Sequence, residues 1–130
     1  MRVARETIKR MLKHGKGGAI VNISSAAARI GSPGEFIDYA ASKGAVDTLT
    51  LGLAKEYGAR GIRVNAVRPG LIRTEIHAAA GAPGRVERRA PGVPMARVGE
   101  VEEVAQAIAW LLSDAASYVN GSLLDVAGGR

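Results

Sequence analysis

The sequence predicts an α/β domain built around a parallel sheet, and three observations carry that expectation. Segments with helical spacing alternate with short β-branched runs along the whole chain. Those runs are almost continuously apolar, as in strands covered on both faces. Their order (helix, strand, helix, strand, loop, helix, strand) calls for right-handed crossovers between parallel strands.

Each element follows from local pattern. Val3, Thr7, Ile8, Met11 and Leu12 fall at helical spacing, so residues 2–14 are expected as an amphipathic helix stopped by Gly15–Gly18. Ala19–Ile23 is a short apolar strand that ends at Ser24 and Ser25. Residues 29–36, with Gly31, Ser32, Pro33 and Gly34, have the composition of a loop. From about Asp38 to Tyr57 runs a long Ala- and Leu-rich helix with Gly58 past its end. Ala41, Ala45, Leu49, Leu53 and Tyr57 make one stripe on it, and Val46, Thr50 and Ala54 make another. A helix apolar over so much of its circumference is expected to be covered on more than one side. Ile62–Val67 is the second strand, stopped by Pro69-Gly70. Residues 71–99 are an irregular segment with one short helix near Arg85, of a length typical of lids and binding loops. Val101–Leu112 is the last helix, with Val104, Ile108, Leu111 and Leu112 inward, and Ser122–Val126 is the last strand. No internal repeat divides the chain, so residues 1–130 are expected to form one domain.

Composition narrows the function classes. The absence of cysteine excludes disulfides and thiolate zinc sites and suits a reducing cytoplasm. No metal site is expected. No apolar run reaches the roughly 20 residues a membrane helix needs. The formal net charge of +6 comes from residues scattered over the chain, the tightest cluster being Arg85, Arg88 and Arg89. With few aromatic side chains for base stacking, this is the pattern of a solvated Arg-rich surface, and no nucleic-acid partner is expected.

The chemistry-bearing pattern is Tyr39 and Lys43, four apart and therefore one turn apart on one helix face. An ammonium beside a phenol favours the phenolate, which a tyrosine needs to exchange a proton with an alcohol or carbonyl near neutral pH. On its own this spacing is equally compatible with a chance pair on a solvated helix. Position adds to it. Ligands of open α/β sheets bind beyond the carboxyl ends of strands. Ser24 and Ser25 end the first strand, Pro69-Gly70 end the second, and the helix bearing Tyr39 connects the two.

The segments GAIVNISS (18–25), YAASKGA (39–45), GIRVNAVRPG (61–70) and NGSLLDVAGG (120–129) resemble the short-chain dehydrogenase/reductase family, in the same order and over essentially the whole chain. The likeness is nearest to the bacterial glucose-dehydrogenase-like and oxoacyl-carrier-protein-reductase-like group. The resemblance implies a Rossmann-like doubly wound parallel sheet, of which this chain is the C-terminal half, with the N-terminal dinucleotide-binding βαβ units missing. It implies NAD or NADP as cofactor and a small-molecule carbonyl or alcohol as substrate. Tyr39 would be the general acid/base, Lys43 its activator and a ligand of the nicotinamide ribose, and Ser25 the residue holding the substrate oxygen. Ser25 stands one residue further from Tyr39 than is commonest in the family, and the loop Gly31–Asp38 can absorb the difference. Pro69, Gly70, Ile72 and Thr74 would line the nicotinamide side, and residues of about 73–97 would form the mobile substrate loop. GAPG (81–84) and Gly128-Gly129 are not in the strand–turn–helix register of a pyrophosphate loop. The resemblance also implies a homo-oligomer through helices 2–14 and 38–57, consistent with the surplus apolar stripe. The alternative from another class is a non-catalytic remnant or oligomerisation module unable to bind cofactor.

Overall fold

The computed structural model describes residues 2–74 and 84–130. Three strands, β1 (Gly18–Ile23), β2 (Ile62–Pro69) and β3 (Leu123–Val126), form a parallel sheet in the order β1-β2-β3. The expected α/β class with a parallel sheet is therefore observed. Gly18 pairs with Ile62 at the start of the register and Ile23 with Val67 at its end, while Ala66 to Pro69 pair with Leu123 to Val126. Entry into β1 depends on Gly17. Its φ is +68°, and a Cβ there would stand 2.4 Å from the Gly61 carbonyl oxygen. Only glycine tolerates both conditions.

β2 is the central strand and carries the core. Side chains alternate across a sheet, and here the alternation sorts two layers. Ile62 and Val64 point to one face, where they pack with Ile8 and Ala54, and with Met11, Leu12, Ile20, Leu53 and Tyr57 around them. That face is covered by α1 (Arg2–His14) and α3 (Ile37–Tyr57). Arg63 and Asn65 point to the other face, toward α5 (Val101–Leu112) and the loop after it. Asn65 is fully buried and satisfied, donating to Val119 O and accepting from the Ser122 amide. Asn120 accepts from Val64 N and donates to Ala54 O, so two asparagines pin the 119–122 loop to the sheet.

Several boundaries and faces differ from the sequence expectation. β2 continues to Pro69 instead of ending at Val67, because proline at a strand end forgoes only its missing N–H while its carbonyl still accepts from Ala26 N at 3.0 Å. Residues 27–30, partly assigned to a loop, form the short helix α2 (Ala27–Ile30), closed by Gly31 at φ +72° with its N–H on Ala27 O. On α1, Ile8 is buried but Val3 is 81 % exposed, so the inward stripe begins a turn later. On α5, Leu111 is fully buried whereas Leu112 is half exposed. The next residue round, at 100° from Leu111, already leaves the narrow face that the sheet covers.

α3 departs most clearly. Among the described residues its buried positions are Ala40, Asp47, Thr50 and Ala54, with Leu53 and Tyr57 packed beside them on the core, while Ala41 and Ala45 are exposed. The stripe containing Thr50 and Ala54 is thus the more buried one, and the other turns inward only from Leu49 through Leu53 to Tyr57.

The segment after β2 is more ordered than its composition suggested. Gly99 N donates to Leu71 O and Arg73 N to Gly99 O, each at 2.9 Å, so its two ends lie together. Leu71, Val86, Val93 and Val98 bury one another in a second small core. The expected helix near Arg85 is present as α4 (Arg85–Arg89). The middle of the expected substrate loop, residues 75–83, with most of GAPG, lies outside the described residues. No described helix is long and apolar enough to cross a membrane.

Candidate active site

The carboxyl ends of β1 and β2 and the first turns of α3 meet at one edge of the sheet. Ser24 N donates to Val67 O at 2.9 Å and Ala26 N to Pro69 O at 3.0 Å, so the segment leaving β1 stays zipped to β2 on both sides of Ser25. The two serines then divide their work. Ser24 is buried and its hydroxyl donates to Lys43 O at 3.2 Å, which ties the strand end to α3. Ser25 is partly exposed, and its Oγ accepts from Ala27 N at 3.1 Å at the start of α2. An oxygen that accepts from the backbone still has its own O–H to offer elsewhere.

Lys43 crosses from the helix to the strand. Its Nζ donates to Ile23 O at 2.9 Å and stands 5.6 Å from the centroid of the Tyr39 ring. The i,i+4 spacing therefore does bring Tyr39 and Lys43 together, and the lysine reaches the strand end two residues before Ser25. Tyr39 is 44 % exposed, which leaves its phenol at the surface of this edge. An ammonium carries three donors, so Lys43 retains donor capacity beyond the Ile23 carbonyl.

The remaining expected residues separate into two groups. Pro69 and Gly70 sit at the same edge. A Cβ on Gly70 would lie 2.7 Å from the Ala127 backbone, so glycine there permits close packing of the strand end against the chain after β3. Ile72 is buried and bridges to Gly99, and it lines a cleft of about 240 Å³ together with Leu71, Val93, Met95 and Gly128. Ser25, Tyr39 and Lys43 do not line that cleft. Thr74 is exposed at the last described position before residue 75. Among the described residues no group of histidine and carboxylate side chains is arranged to hold a metal ion.

Two charged residues that sequence patterning passed over lie close by. Asp47 is one turn past Lys43 on the buried face of α3, and Arg68 immediately precedes Pro69. They form a largely buried ion pair. The available signal was an acidic residue inside an otherwise apolar helix face and an arginine inside a buried strand, a combination that demands pairing.

This is an α/β site with a serine at a strand end and a tyrosine–lysine pair on the following helix. The family model described as enoyl-(acyl carrier protein) reductase matches residues 1–130. An uncharacterized oxidoreductase of Escherichia coli, YgfF, is 66 % identical over 128 residues, a match that covers 97 % of this chain and 52 % of that protein. Glucose 1-dehydrogenase 2 of Bacillus subtilis is 40 % identical, covering 97 % of this chain and 48 % of its own length. The crystal structure of a gluconate 5-dehydrogenase from Burkholderia cenocepacia, in complex with NADP and tartrate, superposes with a TM-score of 0.88 at 34 % identity, covering 98 % of this chain and 49 % of that one. The chain belongs to the short-chain dehydrogenase/reductase family, whose members among these relatives are oxidoreductases. It spans about half the length of the relatives it matches.

Proposed function

We propose that this chain carries the catalytic part of an NAD(P)-dependent oxidoreductase acting between a nicotinamide dinucleotide and a small carbonyl or alcohol. The observation that carries the reading is Lys43, whose Nζ touches Ile23 O and faces the Tyr39 ring, so that the helix pair and the Ser25 strand end meet. The bound NADP of the gluconate 5-dehydrogenase supports the choice of cofactor class.

The residues fit such a cofactor by their donor chemistry: an ammonium with spare donors beside an exposed phenol, at the carboxyl edge of a parallel sheet. The dinucleotide would supply or take up the hydride. Ser25 Oγ–H holds the substrate oxygen, and Tyr39 gives that oxygen a proton during reduction or takes one during oxidation. Lys43 would hold the ribose, and its ammonium stands beside the Tyr39 ring. Pro69, Gly70, Ile72 and Thr74 belong to the nicotinamide side in this reading. Because the chain spans half of its relatives' length, the complete pocket would need a dinucleotide-binding segment to one side of β1. Self-association through α1 and α3 is part of the same proposal, the outward Ala41 and Ala45 of α3 being the surface that supports it.

One observation favours a second reading, a non-catalytic remnant or interaction module. Among the described residues, Ser25, Tyr39 and Lys43 line neither the cleft at Ile72 nor the one along Arg2–Arg10. Titration with NADH and NADPH, followed by nicotinamide fluorescence, separates the two. The enzyme reading expects saturable binding that is lost in Lys43→Ala, with Tyr39→Phe binding cofactor but transferring no hydride. A folded chain that binds neither dinucleotide even at millimolar concentration would leave the trio idle in this chain, with activity belonging to a longer parent chain.

A further inference from the structure

Four elements around the candidate site are joined by alternating charges. On α3, Asp47 Oδ2 accepts from Arg68 Nε at 3.0 Å and from Nη2 at 2.7 Å. Arg68 Nη1 stands 3.8 Å from Asp125 Oδ1 on β3, its cross-strand neighbour. Asp125 Oδ2 in turn lies 3.6 Å from Arg29 Nε on α2, the helix that begins two residues after Ser25. The outer members are exposed, but the Asp47 and Arg68 side chains are only 9 % and 16 % exposed.

Burying such a pair brings little net stability, since a well-packed apolar pair of similar volume does as well or better. What the ion pair adds is geometry, because both donors converge on one oxygen and define the position of the guanidinium. The backbone around Arg68 is the anchor for Ser25: the Val67 and Pro69 carbonyls on either side of it receive the Ser24 and Ala26 amides. Asp47 lies one turn from Lys43 and two from Tyr39 on one helix. The pair is therefore a side-chain tie between β2, whose carbonyls anchor the serine segment, and the helix that carries the tyrosine and lysine, added to the direct ties from Ser24 Oγ to Lys43 O and from Lys43 Nζ to Ile23 O.

We propose that Asp47 and Arg68 are positioning residues, whose ion pair sets the placement of Ser25 relative to Tyr39 and Lys43. The inference rests on the oxidoreductase reading above. Misplacing a reacting group by an ångström costs up to about 100-fold in rate without touching the chemistry.

The test is the double variant Asp47→Leu/Arg68→Met, which replaces the ion pair by apolar side chains of similar volume and so spares the fold. Two measurements are made on the 130-residue chain. Reduction of diacetyl by NADPH is expected to lose at least about 10-fold in kcat, with the NADPH dissociation constant and the urea midpoint little changed. Retention of wild-type kcat would overturn the proposal. Amide exchange gives the second readout, independent of any activity. The Ser24 and Ala26 amides are expected to exchange at least about 10-fold faster in the variant, while the Gly121 amide, held by Val64 O, keeps its rate. If the wild-type chain neither binds NADPH nor turns over, the oxidoreductase reading falls for the isolated chain, and amide exchange alone decides whether the clasp exists. Equal acceleration of all three amides, or of none, would overturn it.

Discussion

Asn65 shows how much one polar residue can hold in place. It is fully buried on β2 and makes hydrogen bonds with Val119 O and the Ser122 amide, two groups that otherwise have to be satisfied inside the protein. Asn65→Ala strands both, at roughly 1–3 kcal/mol for each unsatisfied buried group. The expected outcome is a clearly lowered urea midpoint, measured by circular dichroism. Gly17 is constrained differently. Gly17→Ala meets a positive φ and the Gly61 carbonyl at the same time, so the turn into β1 has to shift, at a cost of the order of 1–3 kcal/mol. Comparing Gly17→Ala with Gly15→Ala isolates the steric part, since Gly15 shares φ +68° but has nothing within 4 Å of its added Cβ.

At the scale of an element, α5 has the best-defined start. Glu100 and Glu103 form a reciprocal capping box, in which Glu103 accepts from the Glu100 amide at 2.8 Å. Arg97 adds a two-pronged contact to the same carboxylate at 2.8 and 2.6 Å. The Arg97 hydrogen bonds, followed by that of the Glu100 amide, lower the Glu103 carboxyl from 4.5 to about 2. A carboxyl lowered on folding contributes its stabilisation fully above the unfolded value and loses it as pH falls through the folded one. The α5 N-terminus is therefore expected to loosen between about pH 4.5 and pH 2. Because the carboxylate is solvent-exposed, the effect should weaken in high salt. Amide exchange of residues 103–105 across this range measures it, and Glu103→Gln should remove the pH dependence without removing the helix. α3 makes the contrasting case. Its composition suggested cover on several sides, but among the described residues the cover falls on the Ala40–Asp47–Thr50–Ala54 face with Leu53 and Tyr57 beside it, and Ala41 and Ala45 are exposed.

For the whole molecule, the sheet is the controlling object. β2 is buried nearly throughout, whereas β1 is only half buried along its length and pairs with β2 alone among the described residues. An unpaired strand edge is a template for another strand. Exposed Trp110, Leu112 and Tyr118 add apolar surface elsewhere. Sedimentation velocity over a range of concentrations is expected to show the chain self-associating. A monomer at every concentration would show that both surfaces tolerate water.

The sequence by itself determined the alternation of the long helices and strands and the family resemblance, but not the short helix α2. Residue spacing is local, and helices, strand ends and the Tyr39–Lys43 pair are local consequences of it. The bounds of α5 came out unchanged, and the NISS, YAASK and RVNAVRPG segments put the candidate trio at the carboxyl edge of the sheet, where the structure brings Lys43 to the end of β1 and beside Tyr39. Only the tertiary structure decided which face of α3 is inside, that Ser24 serves the backbone while Ser25 keeps its hydroxyl available, and that Asp47 and Arg68 meet across 21 residues of chain. Those facts depend on contacts between elements. No periodicity within a single element encodes which partner will cover it, or which of two adjacent hydroxyls a neighbouring helix will claim.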